Sequence, residues 1–394
     1  MDVNPLDAVL RHFADLDDPR RHNVVYSLPQ LLTLVLMAGL AGANDYDAVA
    51  DWVGHRLDWL GDLLGLPDHR RPHASTFERV MRRLEPGPLQ QHFIALTQKF
   101  AQASGGRLVA IDGKTLRGSF DAARREHPLH MVHAWDHANG LLLGQVAVDD
   151  KSNEITAVPE LLDLLDLDGA VVSLDAMHCQ KDTAAAIREA EADYLLCVKS
   201  NQKTLREDLD LYFEDAVEHD ADELLRFTDE PDSGHGRLDQ REVLASGDVA
   251  WLRRRHPDWP DLRGIVCVRA RRLDFADPKA KTVEHTRLYL TSLDPREVGA
   301  RHMAELVRGH WSVENNLHWC LDVSFGDDAS RVRKDHGPQN LALVKRITLG
   351  LLKKVDPPAR TKAAARRTSI ARRRIAAITN DDYLIRCLKA GIDS

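Results

Sequence analysis

Cysteine is scarce and scattered in this sequence of 394 residues. It has five cysteines, and none forms the Cys-x-x-Cys spacing of a zinc ribbon or a redox motif. This argues against a disulfide framework and is typical of a protein in a reducing cytoplasm. The first residues, MDVNPLDAVLRHF, contain no signal-peptide pattern, so we expect a cytoplasmic protein.

Long apolar runs are also missing. The longest, LLTLVLMAGLAGA at residues 31–43, is shorter than the ~20 residues of a membrane-spanning helix. We therefore expect a buried helix there and no membrane partner. Hydrophobic and charged residues, at 43% and 29%, are in ordinary proportion for a globular chain long enough for two or three domains.

Positive charge is in deficit overall but concentrated near the C-terminus. The formal net charge of −8 would by itself disfavour a nucleic-acid partner. Residues 331–375, however, contain fourteen Lys and Arg against two Asp, which gives this segment about +12 and the rest about −20. Such a segment favours the docking of a polyanion at one end of the molecule. A solvated basic helical surface would have the same pattern.

Hydrophobic spacing divides the chain into three regions. Residues 1–95 have helical spacing, with a capping box predicted at Ser75 and Glu78, and form an N-terminal helical domain. Residues 105–335 follow the order β-β-β-α-β-α-β, then a β-rich insertion at about 225–295 and a long helix from Asp294 or Pro295. Residues 336–394 are a basic helical C-terminal region. The predicted class is α/β, an open mixed sheet with helices on its faces.

Two aspartates close apolar strands. Asp112 ends RLVAIDG and Asp175 ends AVVSLDA, at the strand ends that line the ligand crevice of an open α/β sheet. One such Asp is commonly a turn or cap residue, but two in one sheet favour a function. Carboxylates suit a pair of Mg²⁺ ions about 3.5–4 Å apart that act on a phosphodiester. Glu314, in the helix GHWSVENNLHWCLD, can supply a third carboxylate.

Other polar residues near these acids have competing interpretations. The spacing of His310, Glu314 and His318 is similar to that of zinc ligands on one helix. Because the two histidines are eight residues apart, we prefer a role in packing or DNA contact over a zinc site. Trp311 and Trp319 are expected in the core, with base stacking as the alternative. Several residues after strand ends are candidate phosphate ligands, with ordinary surface polarity as the alternative: Lys114, Arg117, His178, Lys199, Asn201 and Lys203.

Taken together, these motifs resemble a known family. AIDGKTLRGS, VVSLDAMHCQKDTA and HWSVENNLHWCLDVSF are similar to the three acidic motifs of DDE transposases of bacterial insertion sequences, most of all the H-repeat-associated (ISAs-type) family. KSNEITAVPELL, DYLLCVKSNQKTL and the N-terminal helical region resemble further family blocks, so the resemblance covers nearly the whole chain. The acids are separated by 63 and 139 residues, and the longer gap matches the family's β-rich insertion.

The resemblance implies an RNase H-like catalytic core in which Asp112, Asp175 and Glu314 bind two Mg²⁺ or Mn²⁺ ions. Such an enzyme cuts the DNA at element ends as an endonuclease and joins the free 3′-OH to target DNA, as a homodimer in the synaptic complex. Two alternatives stay open. One is an RNase H-like nuclease without strand transfer, and the other is a catalytically retired DNA-binding protein.

The sequence departs from related transposases around the glutamate. Their Tyr-Arg-Glu-Lys signature would place an arginine where this chain has His310 and a lysine where it has Leu321. The phosphate contacts of that signature are therefore expected from other residues, namely His310, Asn315, His318, Arg331 and Arg333.

Overall fold

The computed structural model describes residues 6–22, 24–67, 70–101, 107–120, 127–148, 154–234, 237–274 and 282–390. The chain forms two compact units, each assembled from separated segments. Unit 1 contains Met1–Ser104, Gly113–Ala157 and Val313–Ser394, whereas unit 2 contains Gly105–Asp112 and Val158–Ser312. Compactness thus divides the chain differently from the three consecutive regions of the sequence.

The strands follow the predicted order. From residue 107 onward, two strands of a hairpin come after the first strand, and crossover helices precede the next two. The strands are β1 (Leu108–Thr115), β2 (His130–Asp136), β3 (Leu141–Val148), β4 (Val171–Leu174), β5 (Asp193–Val198), β6 (Leu225–Thr228), β7 (Asp232–Gly234), β8 (Arg237–Ser246), β9 (Gly264–Asp274) and β10 (Val283–Thr291).

The helices fill the two ends of the sequence and the crossovers. They are α1 (Asp7–His12), α2 (Leu28–Leu40), α3 (Tyr46–His55), α4 (Leu57–Leu64), α5 (Ala74–Arg83), α6 (Pro86–Ala101), α7 (Glu154–Leu162), α8 (Lys181–Glu189), α9 (Lys203–Glu218), α10 (Ala250–Arg255), α11 (Pro295–Val313), α12 (Trp319–Phe325), α13 (Gly337–Lys354), α14 (Lys362–Arg366), α15 (Ile370–Thr379) and α16 (Asp381–Lys389). A π-helical turn, Glu314–His318, joins α11 to α12.

Unit 2 is built on a mixed sheet with the strand order β1-β4-β5-β10-β9-β8-β6. The pairs β1–β4 and β4–β5 are parallel, and the pairs from β5 onward are antiparallel. Because β10 pairs directly with β5, the predicted β-rich insertion extends the sheet. Apolar residues of α11, such as Met303 and Val307, pack into the core formed on this sheet.

Unit 1 is organised around α13, which is buried along most of its length. It packs against α2, α5, α6 and β3. The apolar run of the sequence forms α2, whose residues 31–40 are all buried and whose N-terminus carries a capping box of Ser27 and Gln30. Within the described ranges, no helix is long and apolar enough to cross a membrane.

The capping box predicted for α5 is wrong. This helix begins at Ala74, and the ring of His73 accepts a hydrogen bond from the Ser75 backbone N–H at 3.2 Å. Ser75 therefore lies inside the first turn, where it cannot act as the N-cap.

Part of the basic charge of the C-terminal region is used inside unit 1. Lys345 and Arg346 are buried on α13 and lie 3.5 and 3.7 Å from the carboxylate of buried Asp327. Arg373 donates to the carbonyls of Leu352 and Val355 at the C-terminal end of α13. Carbonyls at helix C-termini carry partial negative charge, so a buried guanidinium is stabilised there. These charges are unavailable to an external polyanion.

We predict that Asp327→Asn strongly destabilises the protein. The substitution leaves two buried cations without their counter-charge, a change that typically costs about 3–5 kcal/mol. The free energy of unfolding from urea titration measures it. The matched control is Asp335→Asn, which removes a partly exposed partner of Arg82 at 2.6 Å and should cost less than about 1 kcal/mol. Equal losses in the two variants would contradict the assigned role of Asp327.

Candidate active site

Asp112 and Asp175 lie side by side in unit 2. The parallel register pairs Leu108 with Val171 and continues to Ile111 with Leu174. The next residues are Asp112 and Asp175. Asp175 follows the end of β4, as predicted, but β1 continues to Thr115, so the prediction that Asp112 closes its strand is wrong. Neighbouring strands are about 4.8 Å apart and paired residues of a parallel ladder point to the same face, so the two carboxylates leave the sheet at one level. Both side chains are half-buried.

The residues after Asp112 belong to unit 1 and make contacts in its interior. Gly113 leaves room for a buried pair, His130 and Glu154: a Cβ at residue 113 would lie 2.6 Å from the His130 Nε2. The hydroxyl of Thr115 contacts the other ring nitrogen of His130 at 2.8 Å. In the Asp-Gly-Lys-Thr motif, Gly113 and Thr115 are therefore required for packing around His130, independently of any function of Asp112.

Lys114 is a buried ion-pair partner. Its Nζ lies 2.7 Å from the Asp322 carboxylate and 3.4 Å from that of Asp328. The Arg117 side chain, by contrast, is 80% exposed, although its Nε lies 3.5 Å from the Asp328 carboxylate. Of these two predicted phosphate ligands, Arg117 is the accessible one.

The turn after Asp175 is fastened to the loop after β5. The Asp175 carboxylate accepts a hydrogen bond from the Met177 backbone N–H at 3.1 Å and so caps a short 3₁₀ helix. Asn201 donates its amide to the Ala176 carbonyl at 2.6 Å. His178 is buried in the same turn. Asn201 thus holds the turn that carries Asp175, and its predicted contact with DNA phosphate stays a prediction.

The C-terminal part of α11 lies against β4. His310 is buried, and its Nδ1 is 2.9 Å from the hydroxyl of Ser173, two residues before Asp175. Burial lowers the pKa of His310 to about 4, against a smaller opposing effect of Asp175. The imidazole is therefore neutral near pH 7, when it can make hydrogen bonds but offers no charge to a phosphate.

The π-helical turn carries Glu314 on the surface of unit 1. Glu314 is exposed, and His318 at the other end of the turn lies 3.1 Å from His133 of β2, Nε2 to Nε2. Burial lowers the pKa of His318 to about 3 and that of His133 well below its usual range. Lys353 donates to the Asn316 carbonyl at 2.8 Å. Short π-helical segments occur often at functional sites.

The two tryptophans of this segment have different environments. Trp311 packs on the core of unit 2, donates to the Tyr289 hydroxyl at 3.1 Å and lies under the Arg287 guanidinium. Trp319 is 58% exposed, so its predicted core position is wrong. Equal helical spacing does not give equal burial, because burial depends on which element packs against each turn.

The remaining predicted DNA ligands are surface residues. Arg333 also donates to the Gly118 carbonyl at 3.2 Å. At the place of the missing signature lysine, Leu321 is fully buried, and its neighbour Asp322 pairs with Lys114. The exposed candidates are Lys199, Asn201, Lys203, Asn315, Arg331 and Arg333.

Sequence reasoning missed several buried polar residues near these motifs. His130 and His133 interrupt the apolar strand HMVHAWD, and Glu154 begins the block EITAVPELL. Polar residues inside an apolar strand are a usable signal, because such groups must find partners when buried. Asp322 and Asp328 gave no signal, since acidic residues on a helix and in a turn are ordinarily solvated.

Metal-ligand geometry is only partly assembled. Across the described ranges, no group of three or more His, Cys, Asp or Glu side chains surrounds a common position. The adjacent pair of Asp112 and Asp175 supplies hard oxygen donors, the type that Mg²⁺ and Mn²⁺ prefer.

Comparison with known proteins adds independent information. Residues 103–351 match the family described as Transposase DDE domain, and residues 10–97 match DDE_Tnp_1-associated. The putative transposase YncI of Escherichia coli O157:H7 is 35% identical over 352 residues, which cover 88% of each chain. The H repeat-associated putative transposase YhhI of Escherichia coli strain K12 is 31% identical over 356 residues, 88% of this chain and 90% of the relative.

Among solved structures, a cryo-EM structure of a piggyBac transposase synaptic complex with hairpin DNA is 11% identical with a TM-score of 0.39, covering 87% of this chain and 69% of that chain. This likeness is too low to support an argument about the fold. The family match covers more than half of the chain, and these relatives are over 30% identical across most of both chains, so the chain belongs to the DDE transposases of the H repeat-associated type.

Proposed function

We propose that the protein is an insertion-sequence transposase that cleaves DNA at element ends and transfers the 3′-OH into target DNA. The observation that supports this proposal is that Asp112 and Asp175 directly follow Ile111 and Leu174, the last paired residues of the parallel β1–β4 ladder. Together with the family, it supports an RNase H-like catalytic core. The alternatives of a nuclease without joining and of a retired DNA-binding protein are separated from it by the experiments below.

Asp112 and Asp175 would hold two divalent ions beside the last paired residues of the β1–β4 ladder. When bound, Mg²⁺ or Mn²⁺ would activate a water molecule or the 3′-OH of the DNA as the nucleophile and would stabilise the leaving oxygen of the phosphodiester. The two carboxylates, positioned by the β1–β4 ladder and by a capped turn, would hold the ions in place. No covalent protein intermediate is needed.

Glu314 is the proposed third ligand. It follows His310 by four residues, one turn and about 6 Å along a helix. His310 is fixed on Ser173, which precedes Asp175 by two residues. Residues four apart share a helix face, and this spacing supports the proposal for Glu314. The buried His310 and the half-buried His318 are positioning residues in this scheme.

The exposed basic and amide residues would contact DNA phosphates. Lys199, Lys203 and Arg117 follow strand ends of the proposed site, and Asn315, Arg331 and Arg333 flank Glu314 in sequence. Such contacts position the strand without reading its sequence. Lys114 and His178, which are buried, would support the acids from within the fold. Joining two element ends requires two sites, so we propose a homodimer on DNA in the bacterial cytoplasm.

Asp112→Asn should reduce the rate of Mg²⁺-dependent cleavage of element-end DNA by at least about a hundredfold, because a metal ligand is lost while the shape of the side chain is kept. Cleavage is followed with labelled duplex on denaturing gels. Asp182→Asn on α8, an exposed acid outside the site, is the control and should cleave normally. Unchanged cleavage by Asp112→Asn would refute the catalytic assignment. A wild-type protein that never cleaves with Mg²⁺ or Mn²⁺ would favour the alternative of a catalytically inactive DNA-binding protein.

Strand transfer can be tested apart from cleavage. Pre-cut element ends with a free 3′-OH, mixed with supercoiled target and Mg²⁺, should give joined products that depend on Asp175 and Glu314. The products are counted by sequencing across the junctions. Efficient cutting without any joined product would assign the protein to the nucleases.

The free energy of unfolding should decrease as the pH is lowered, because burial keeps His133 and His318 neutral in the folded protein. Their folded pKa values lie below the unfolded value of about 6.5. Below pH 6.5 the unfolded state therefore binds more protons, so stability declines from there down to about pH 3, where His318 also protonates in the folded state. In His318→Gln, the slope of unfolding free energy against pH should be smaller by about 1.4 kcal/mol per pH unit. Urea titrations between about pH 4.5 and 7.5 measure it, and an unchanged slope would contradict the buried neutral pair.

A further inference from the structure

Unit 1 contains a basic cleft between the loop before α2 and helix α5. Its cavity volume is about 450 Å³, a size typical of ligand sites, which span about 300–1,000 Å³. None of its nine lining residues is acidic. Five of them are basic: Arg20, Arg21, His22, Arg79 and Arg83.

The loop wall of the basic cleft is held by its own hydrogen bonds. The Arg20 guanidinium binds the Asp18 carboxylate in two contacts of 2.8 and 2.6 Å and also donates to the Tyr26 carbonyl at 2.8 Å. The Tyr26 hydroxyl donates to the Arg70 carbonyl at 3.0 Å. Arg20 is therefore structural, and it fixes the backbone that presents Arg21 and His22, both exposed, to the cleft.

The opposite wall is one face of α5. Thr76, Arg79 and Arg83 are three and four residues apart, so they share a face. Arg82, on another face, pairs with Asp335 at 2.6 Å. In the part of the chain that the structure describes, Arg79 and Arg83 are exposed and have no carboxylate within ion-pair distance. Like charges four apart disfavour each other, and a bound anion would relieve this repulsion.

We propose that the basic cleft binds the phosphate backbone of duplex DNA, an inference that rests on the proposed function. The cleft offers clustered guanidinium groups, which match phosphate oxygens in two-point contacts. Its aromatic residue, Tyr26, is buried and has its hydroxyl bonded to the chain, so the cleft provides no platform for stacking a base. The contacts should therefore be independent of DNA sequence.

The test is DNA binding by the full-length protein in Mg²⁺-free buffer, followed by fluorescence anisotropy between about 50 and 200 mM salt. Loss of two phosphate contacts in Arg79→Gln/Arg83→Gln should reduce the slope of log affinity against log salt by about 1.8 and weaken binding about ten- to a hundredfold. The loss should be equal for element-end and unrelated duplexes. Arg79→Lys/Arg83→Lys keeps the charge and should keep the salt slope.

The matched control removes two positive charges elsewhere. Arg11→Gln/Arg254→Gln replaces two exposed arginines outside the cleft and should retain both affinity and slope. All the substituted side chains are exposed, so thermal unfolding midpoints should match the wild type and exclude misfolding as the cause. Equal losses in the two glutamine variants, or no loss in the cleft variant, would overturn the inference.

The outcomes also separate this inference from the proposed function. If the wild type cleaves element ends with Mg²⁺ but the cleft variant binds DNA with an unchanged salt slope, only the cleft assignment fails. If the cleft variant loses slope but the wild type never cleaves or joins DNA, the cleft assignment stands and the transposase chemistry fails. A wild type that binds no duplex even at low salt overturns the cleft assignment as well.

Discussion

The in-register parallel pairing of β1 with β4 is the constraint on which the candidate site depends. A shift of one residue would send Asp112 and Asp175 to opposite faces, because side chains alternate along a strand. The buried apolar residues that precede each acid fix this register. Beyond Asp112 the chain enters unit 1, where Gly113 and Lys114 are packed and paired. The acid is thus held from both sides along the chain.

Buried polar groups, more than surface charge, define the rest of the arrangement. Neutral His310 joins α11 to β4, and the neutral pair of His133 and His318 joins the π-helical turn to β2. In the C-terminal region, Lys345 and Arg346 neutralise Asp327. A buried hydrogen-bonded group specifies one geometry, because leaving it without a partner is expensive. The sequence departs from the signature of related transposases at His310, where the residue acts within the fold.

The order of strands and helices could be predicted from sequence because it is encoded locally. The Asn-Gly turn, the apolar strands and the length of α2 are signals over a few residues. The two aspartates could be found for the same reason. The sequence could not predict features that depend on packing between residues far apart in the chain. Burial of Arg346, exposure of Trp319 and the pairing of Lys114 with Asp322 each depend on a neighbour far along the chain. The N-cap of α5 was predicted wrongly because His73, which is not a preferred N-cap residue type, occupies the position expected for Ser75.

The assembly of unit 1 from both ends of the chain has a consequence for its synthesis. Arg374 donates to the carbonyls of Gly39 and Ala43 at the end of α2, more than 300 residues earlier. The ribosome therefore releases α2, with its apolar residues uncovered, long before α13 and α15 exist to cover it. Until the last helices emerge, the nascent chain must carry exposed apolar surface, the condition under which chains aggregate or recruit chaperones. A product that stops short of α13 would keep that surface permanently and would be a substrate for proteolysis.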